Sequence, residues 1–127
     1  DEVRLPLVTR RAVETDTVVA YVNIVGGQDD LVFDGDSVVV DGQGSILARA
    51  PQFAEHLLVV DVEAAAATDT ELPPNVRRVE LAGGGAASEH PVPADIAALP
   101  DDREQLWNAL VTGTRDYVRK NGFRSVI

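Results

Sequence analysis

Cysteine is absent from these 127 residues. That removes disulfides, thiolate metal sites and a cysteine nucleophile from anything the chain can do by itself. Lysine is nearly absent as well, Lys120 being the single one, with arginines supplying the rest of the positive charge. Cations as a whole are few: 11 Lys+Arg stand against 21 Asp+Glu, for a net charge of −10. A field of that sign repels phosphate backbones and anionic bilayers, so neither nucleic acid nor membrane is an expected partner. No apolar run approaches the roughly 18 residues needed to cross a bilayer. Asp1-Glu2 does not open like a basic signal peptide, which gives a cytoplasmic expectation. The remaining balance, 45% hydrophobic and 25% charged, is that of an ordinary folded domain, and the length suits one core.

Local pattern predicts a mixture of helix and strand. From Val3 to Thr15, apolar Val3, Leu7, Val8, Ala12 and Val13 recur at helical spacing, with Pro6 in the first turn. Val18–Ile24 is β-branched and almost wholly apolar, which predicts a central strand covered on both faces and broken by Gly26-Gly27. Ser37–Asp41 and Ser45–Ala50, joined through Gly42-Gln43-Gly44, form the clearest hairpin pattern. Leu57–Val62 predicts a further strand. Between Ala64 and Asp101 lie five of the seven prolines and Gly83-Gly84-Gly85, the composition of a linker with one β-like run at Val76–Leu81. Asp101 with Glu104 fits a helix start, and Asn121-Gly122 fits its end. Leu106, Trp107, Leu110, Val111, Thr114, Tyr117 and Val118 then make one stripe expected to pack into a core. Phe123–Ile127 reads as the opening of another buried strand, an end that suggests an excerpt of a longer chain.

Candidate chemistry is sparse. The acidic cluster Asp29, Asp30, Asp34, Asp36 and Asp41 lacks the spacing of a calcium loop, and turn-capping is the expected role for these aspartates. His56 and His90 have no second imidazole at ligand spacing. The triple glycine is followed by no Gly-Lys-Ser/Thr, and Ser37, Ser88 and Ser125 sit in no nucleophile elbow. No catalytic constellation assembles from these residues, and no metal site is expected.

The run Tyr21-Val22-Asn23-Ile24-Val25-Gly26-Gly27-Gln28-Asp29-Asp30-Leu31-Val32-Phe33-Asp34-Gly35-Asp36-Ser37 resembles the late part of the glutaminase domain of glutamine-dependent NAD synthetases. Arg49-Ala50-Pro51-Gln52-Phe53 and Leu57–Asp61 are similar to the next strands of that domain. Asp116–Phe123 resembles the helix entering the family's synthetase domain. The resemblance implies an α/β fold with α+β layers: part of a nitrilase-like α-β-β-α sandwich, then a linker and the opening helix of a nucleotide-binding α/β domain. The implied boundaries are residues 1–63 for the glutaminase part, 64–101 for the linker and 102–127 for the start of the synthetase domain.

The activity this implies is glutamine hydrolysis by a Glu-Lys-Cys triad, with the ammonia tunnelled to a second site. There ATP, with Mg2+, adenylates nicotinic acid adenine dinucleotide, and ammonia displaces AMP to give NAD. Homo-oligomers are also implied. The triad precedes the matched region and the pyrophosphate loop would follow Ile127, so no catalytic residue transfers and these residues alone are expected to be inactive. Tyr21, Asn23, Gly26, Gly27, Gln28 and Asp29 carry over as rim of the glutamine pocket or as part of the tunnel, with Gly26–Asp29 expected as a loop. Two other expectations stand beside this one: a catalytically inert β-rich protein-interaction module, and a fragment of a nitrilase-like amidase.

Overall fold

The structure, a computed structural model, describes residues 3–63, 72–77, 79 and 92–127. Helix α1 spans Arg4–Thr15, and Pro6 falls in its first turn, where the backbone N–H has no partner to lose. Asp16 ends it in the left-handed region at φ 45°, donating its N–H to the Val13 carbonyl at 3.2 Å. Val8 and Ala12 are buried, with Leu5 packed beside them. Val3, Leu7 and Val13, expected on the same stripe, are exposed. The helix meets the sheet along the narrow i, i+3, i+7 row of Leu5, Val8 and Ala12, which leaves the flanking apolar positions outside.

Three antiparallel strands in the order β1-β4-β5 form the principal sheet: β1 Val19–Tyr21, β4 Val38–Val40 and β5 Ile46–Arg49. β4 lies in the middle and buries all three of its valines, so the core is Val38 and Val40 against Val8 and Ala12 of α1. The β4–β5 hairpin is the one expected. Asp41 Oδ1 accepts from the N–H groups of Gln43 at 3.0 Å and Ser45 at 2.8 Å, and Gly44 supplies a φ of 88°. A second, two-stranded sheet pairs β2 (Val25–Gln28) with β3 (Leu31–Asp34) across the turn Asp29-Asp30.

Several expectations change here. The apolar run Val18–Ile24 is not one central strand: only Val19–Tyr21 pairs, at a sheet edge, and Tyr21, Val22 and Ile24 are exposed. The ladder stops because the Asn23 N–H donates to Ser37 Oγ at 3.0 Å instead of to a strand. Gly26 and Gly27 do not break a strand or form a loop; both lie inside β2, and of the expected loop only Asp29 is a turn residue. Leu57–Val62 forms no strand, having no ladder partner among the described residues. The edge of β5 is instead met by residues 95–97, with Arg49 donating its N–H to the Asp95 carbonyl at 2.9 Å and Ala97 donating to the Arg49 carbonyl at 3.0 Å. Half of Val76–Leu81, residues 78, 80 and 81, and all of Gly83-Gly84-Gly85, Ser88 and His90 lie outside the described residues.

Helix α2 spans Asp102–Lys120. Asp101 caps it by accepting from Arg103 and Glu104 N–H, both at 2.9 Å, and Gly122 closes it at φ 69°. It packs on the β2–β3 hairpin, but not through its apolar stripe. Thr112, Gly113 and Asp116 meet the hairpin, while Leu106, Trp107 and Leu110 are 63%, 67% and 60% exposed. Contact this close admits only small groups, which is why the large apolar side chains turn away. Phe123–Ile127 forms no strand and is exposed, Phe123 lying 6.1 Å from the Tyr117 ring.

Candidate functional site

A cavity of about 310 Å³ opens where three connections converge. Asn23, Ile24 and Val25 line one wall, Gly35, Asp36 and Ser37 a second, and Ala50, Pro51, Ala54, Glu55 and His56 the rest. Its foundation is ionic. Asp36, almost fully buried, receives Arg49 through two bonds, Nε to Oδ1 at 2.6 Å and Nη2 to Oδ2 at 2.7 Å. Arg4 reaches the same carboxylate at 3.2 Å and makes a second two-pronged contact with Asp34 at 2.8 and 2.7 Å.

Among the described residues two cations thus face two anions, tying α1, β3, the β3–β4 link and β5 into one unit. A buried pair of this kind contributes little net stability against an apolar substitute, but losing one partner strands the other charge. Arg4 holds the Asp34 carboxyl below the usual carboxylate range by hydrogen bonding to it, and Asp34 raises Arg4 in return. Asp36 adopts φ 56°, a conformation that few side chains besides Asn and Asp tolerate. The two-pronged geometry toward Arg49 is built on that backbone.

Above this base, Ser37 Oγ accepts from the Asn23 N–H at 3.0 Å and lies 3.5 Å from the Asn23 carbonyl, to which it donates. Asn23, a residue of the cavity wall, is therefore held by its backbone. Its Nδ2 is buried without a hydrogen-bond partner among the described residues. Burial of such a donor without a partner costs about 1–3 kcal/mol. A second, larger cleft of about 830 Å³ is lined by Asp16, Asp41, Asp61 and Glu63 among others. Two of these carboxylates are already engaged by backbone N–H groups, Asp41 in its turn and Asp61 with Val92 at 2.6 Å. Among the described residues no group of three His, Asp or Glu side chains is placed to hold a metal ion.

The hairpin under α2 forms the adjoining part. Gly27 donates its N–H to Asp116 Oδ2 at 2.8 Å, and Arg115 grips the same carboxylate at 2.7 and 3.1 Å. The Arg115 bond first and the Gly27 N–H second pull the Asp116 carboxyl down to about 2. Lys120 pairs with Asp29 at 2.8 Å.

Of the residues expected at a pocket rim, the structure brings Asn23 alone onto the cavity wall. Tyr21 ends β1, Gly26 and Gly27 sit beneath α2, Gln28 ends β2 exposed, and Asp29 turns the hairpin. The acidic cluster likewise separates into an exposed ion pair at Asp29, the buried network at Asp34 and Asp36, and a turn at Asp41. Asp36, Ser37, Arg49 and Asp116 were not foreseen as site residues. Arg49 in an otherwise apolar strand opposite Val38 was the available signal for a buried anion.

Comparison with known proteins fits this arrangement. The model of the carbon-nitrogen hydrolase family matches residues 2–72. That is more than half of the chain, which belongs to this family and has its nitrilase-like fold. Within that class it is similar to glutamine-dependent NAD(+) synthetases. It is 38% identical to that of Rhodobacter capsulatus over 126 residues, 99% of this chain and 19% of that protein. It is 36% identical to that of Thermotoga maritima over 135 residues, 98% of this chain and 23% of that protein. The solved glutamine-dependent NAD+ synthetase of Acinetobacter baumannii, in complex with ADP, superposes with a TM-score of 0.70 at 28% identity, covering 98% of this chain and 20% of its own. The chain therefore spans about a fifth of the length of the curated relatives it matches.

Proposed function

We propose that these residues serve in a glutamine-dependent NAD synthetase, residues 1–63 as the carboxyl-terminal part of its glutaminase domain, 64–101 as the tether and 102–127 as the start of its synthetase domain. The observation that carries this reading is the similarity to such enzymes along 92–99% of the chain, across both the hydrolase-like part and α2. On this reading glutamine occupies the cavity beside Asn23, whose amide turns from its buried position to donate to the side-chain carbonyl. Tyr21 in β1 and Gly26, Gly27, Gln28 and Asp29 in the β2–β3 hairpin flank the wall at Asn23 without lining the cavity.

The thiolate that attacks the amide carbon comes from outside these residues, which contain no cysteine. Ammonia kept from bulk water stays unprotonated, hence nucleophilic, and converts adenylated nicotinic acid adenine dinucleotide to NAD. ATP and Mg2+ belong to that second reaction. The described residues do not fit them, offering neither a carboxylate cluster nor a phosphate-binding glycine loop. The outward apolar face of α2 would be covered by the rest of the synthetase domain. A cytoplasmic homo-oligomer completes the proposal, the need for ATP supporting the location.

The test is Asn23→Ala in the gene product that carries these residues. Loss of one neutral hydrogen bond should raise KM for glutamine about threefold to tenfold, with NAD formation from free ammonia unchanged. An unaltered glutamine KM would remove Asn23 from the pocket.

A further inference from the structure

The cavity wall and helix α2 are joined by a short, stiff path. Asn23, Ile24 and Val25 line the cavity. Val25 presses against Gly35 so closely that a Cβ there would lie 2.5 Å from Val25 Cγ2, and the Gly35 N–H donates to the Ile24 carbonyl at 3.0 Å. Two residues beyond Val25, the same strand gives its Gly27 N–H to Asp116 on α2, and the carboxylate also approaches within 3.2 Å of where a Gly26 Cβ would stand. Nothing larger than hydrogen fits between β2 and the helix at this point, since a Cβ on Gly27 would meet the Gly113 Cα at 2.9 Å. Among the described residues, the Gly27 N–H is the one polar group of the strand that donates to a side chain of α2. Arg115 fixes that acceptor from the helix side.

We propose that Asp116 is a positioning residue for the glutamine pocket: by accepting the Gly27 N–H it clamps strand β2 to helix α2 and so fixes the wall formed by Asn23, Ile24 and Val25. This rests on the reading of the cavity as a glutamine pocket. It adds that a residue in the portion assigned to the synthetase domain sets the geometry of the amide-hydrolysing site. Asp116 touches no substrate; it acts through β2. Loosening it lets Val25 and the Asn23 amide move relative to Gly35 and Ser37, which weakens glutamine placement but leaves a reaction fed by free ammonia untouched.

The experiment compares Asp116→Ala and Asp116→Asn in the gene product that carries these residues, with glutamine and with ammonium chloride as nitrogen donors. For Asp116→Ala, kcat/KM for glutamine should fall about tenfold, mostly in KM, in keeping with a lost hydrogen bond to a charged group. The ammonia-driven rate should stay within about twofold of the parent. Asp116→Asn keeps an oxygen to accept the Gly27 N–H and should recover most of the loss. Equal losses with both donors, no loss, or no recovery by asparagine would overturn the positioning role while leaving the proposed activity standing. A parent protein that makes no NAD from glutamine would overturn the activity itself, and the role with it. If the alanine variant does not fold, Arg115→Gln, which releases the carboxylate but leaves it in place, takes its part: a loss confined to the glutamine-driven rate supports the positioning role, and equal losses or none overturn it.

Discussion

Gly27 and Gly113 touch across the β2–α2 contact, yet adding one methyl group to each should have opposite effects. A Cβ on Gly27 would lie 2.9 Å from the Gly113 Cα and 3.3 Å from the carbonyl oxygens of Gly113 and Thr112. All three are backbone atoms of a continuous helix and cannot swing aside, so α2 must lift. Overpacking of this kind costs about 1–3 kcal/mol. A lift that also breaks the 2.8 Å bond from Gly27 N–H to Asp116 adds about 1.5–3 kcal/mol for a charged acceptor. Gly27→Ala should therefore destabilise by at least about 2 kcal/mol. A Cβ on Gly113 meets only Val32 Cγ2, at 3.1 Å. Val32 is 42% exposed and free to turn, and alanine in a helix interior gains about 1 kcal/mol over glycine. Gly113→Ala should thus be neutral or stabilising. Urea midpoints followed by far-ultraviolet circular dichroism compare the pair directly. A Gly113→Ala variant as unstable as Gly27→Ala would refute this account of the contact.

Three further outcomes follow from the charged groups. Asp36→Asn keeps the shape and tolerates φ 56° but leaves Arg49 buried without its anion, so unfolding free energy should drop by about 3–5 kcal/mol; a drop below about 1 kcal/mol would show the pair to be dispensable. Because the folded-state pKa of Asp116 is depressed to about 2, its contribution is complete above its ordinary value near 3.8 and is lost as the pH falls toward 2. Facing Arg115 and Arg119, it should give the parent a steeper loss of stability between pH 4 and 2 than Asp116→Asn, as read by acid titration of helicity. Asp101→Ala removes the acceptor of two N–H groups at the start of α2 and should cost about 1 kcal/mol, visible in the same urea midpoints.

Elements whose ends carry their own chemistry were legible before the structure. Asp101 and Asn121-Gly122 bracketed α2, and Asp41 with Gly42-Gln43-Gly44 bracketed the β4–β5 hairpin. What failed was the assignment of faces and partners, which local pattern does not encode. Gly26-Gly27 looks the same whether it ends a strand or lets a helix approach one, and only the position of Gly113 distinguishes the two. The stripe of α2 showed which residues are apolar, not that Thr112, Gly113 and Asp116 would take the inner face. Aspartates beside glycine read as turn residues, and Asp36 is that too by its φ, but its pairing with Arg49 depends on the register of β4 and β5. Of the cavity's lining, Asn23 was expected at a pocket rim through a family resemblance alone, whereas the hold of Ser37 on its backbone depends on the folded chain.

On the proposed function, these residues shape a pocket from which glutamine's amide nitrogen passes into NAD. Its most direct test supplies the gene product that carries them with amide-15N glutamine, ATP, Mg2+ and nicotinic acid adenine dinucleotide in the presence of unlabelled ammonium, and weighs the product by mass spectrometry. NAD heavier by one mass unit is the predicted result. NAD that carries only unlabelled nitrogen, or no NAD at all, would contradict it.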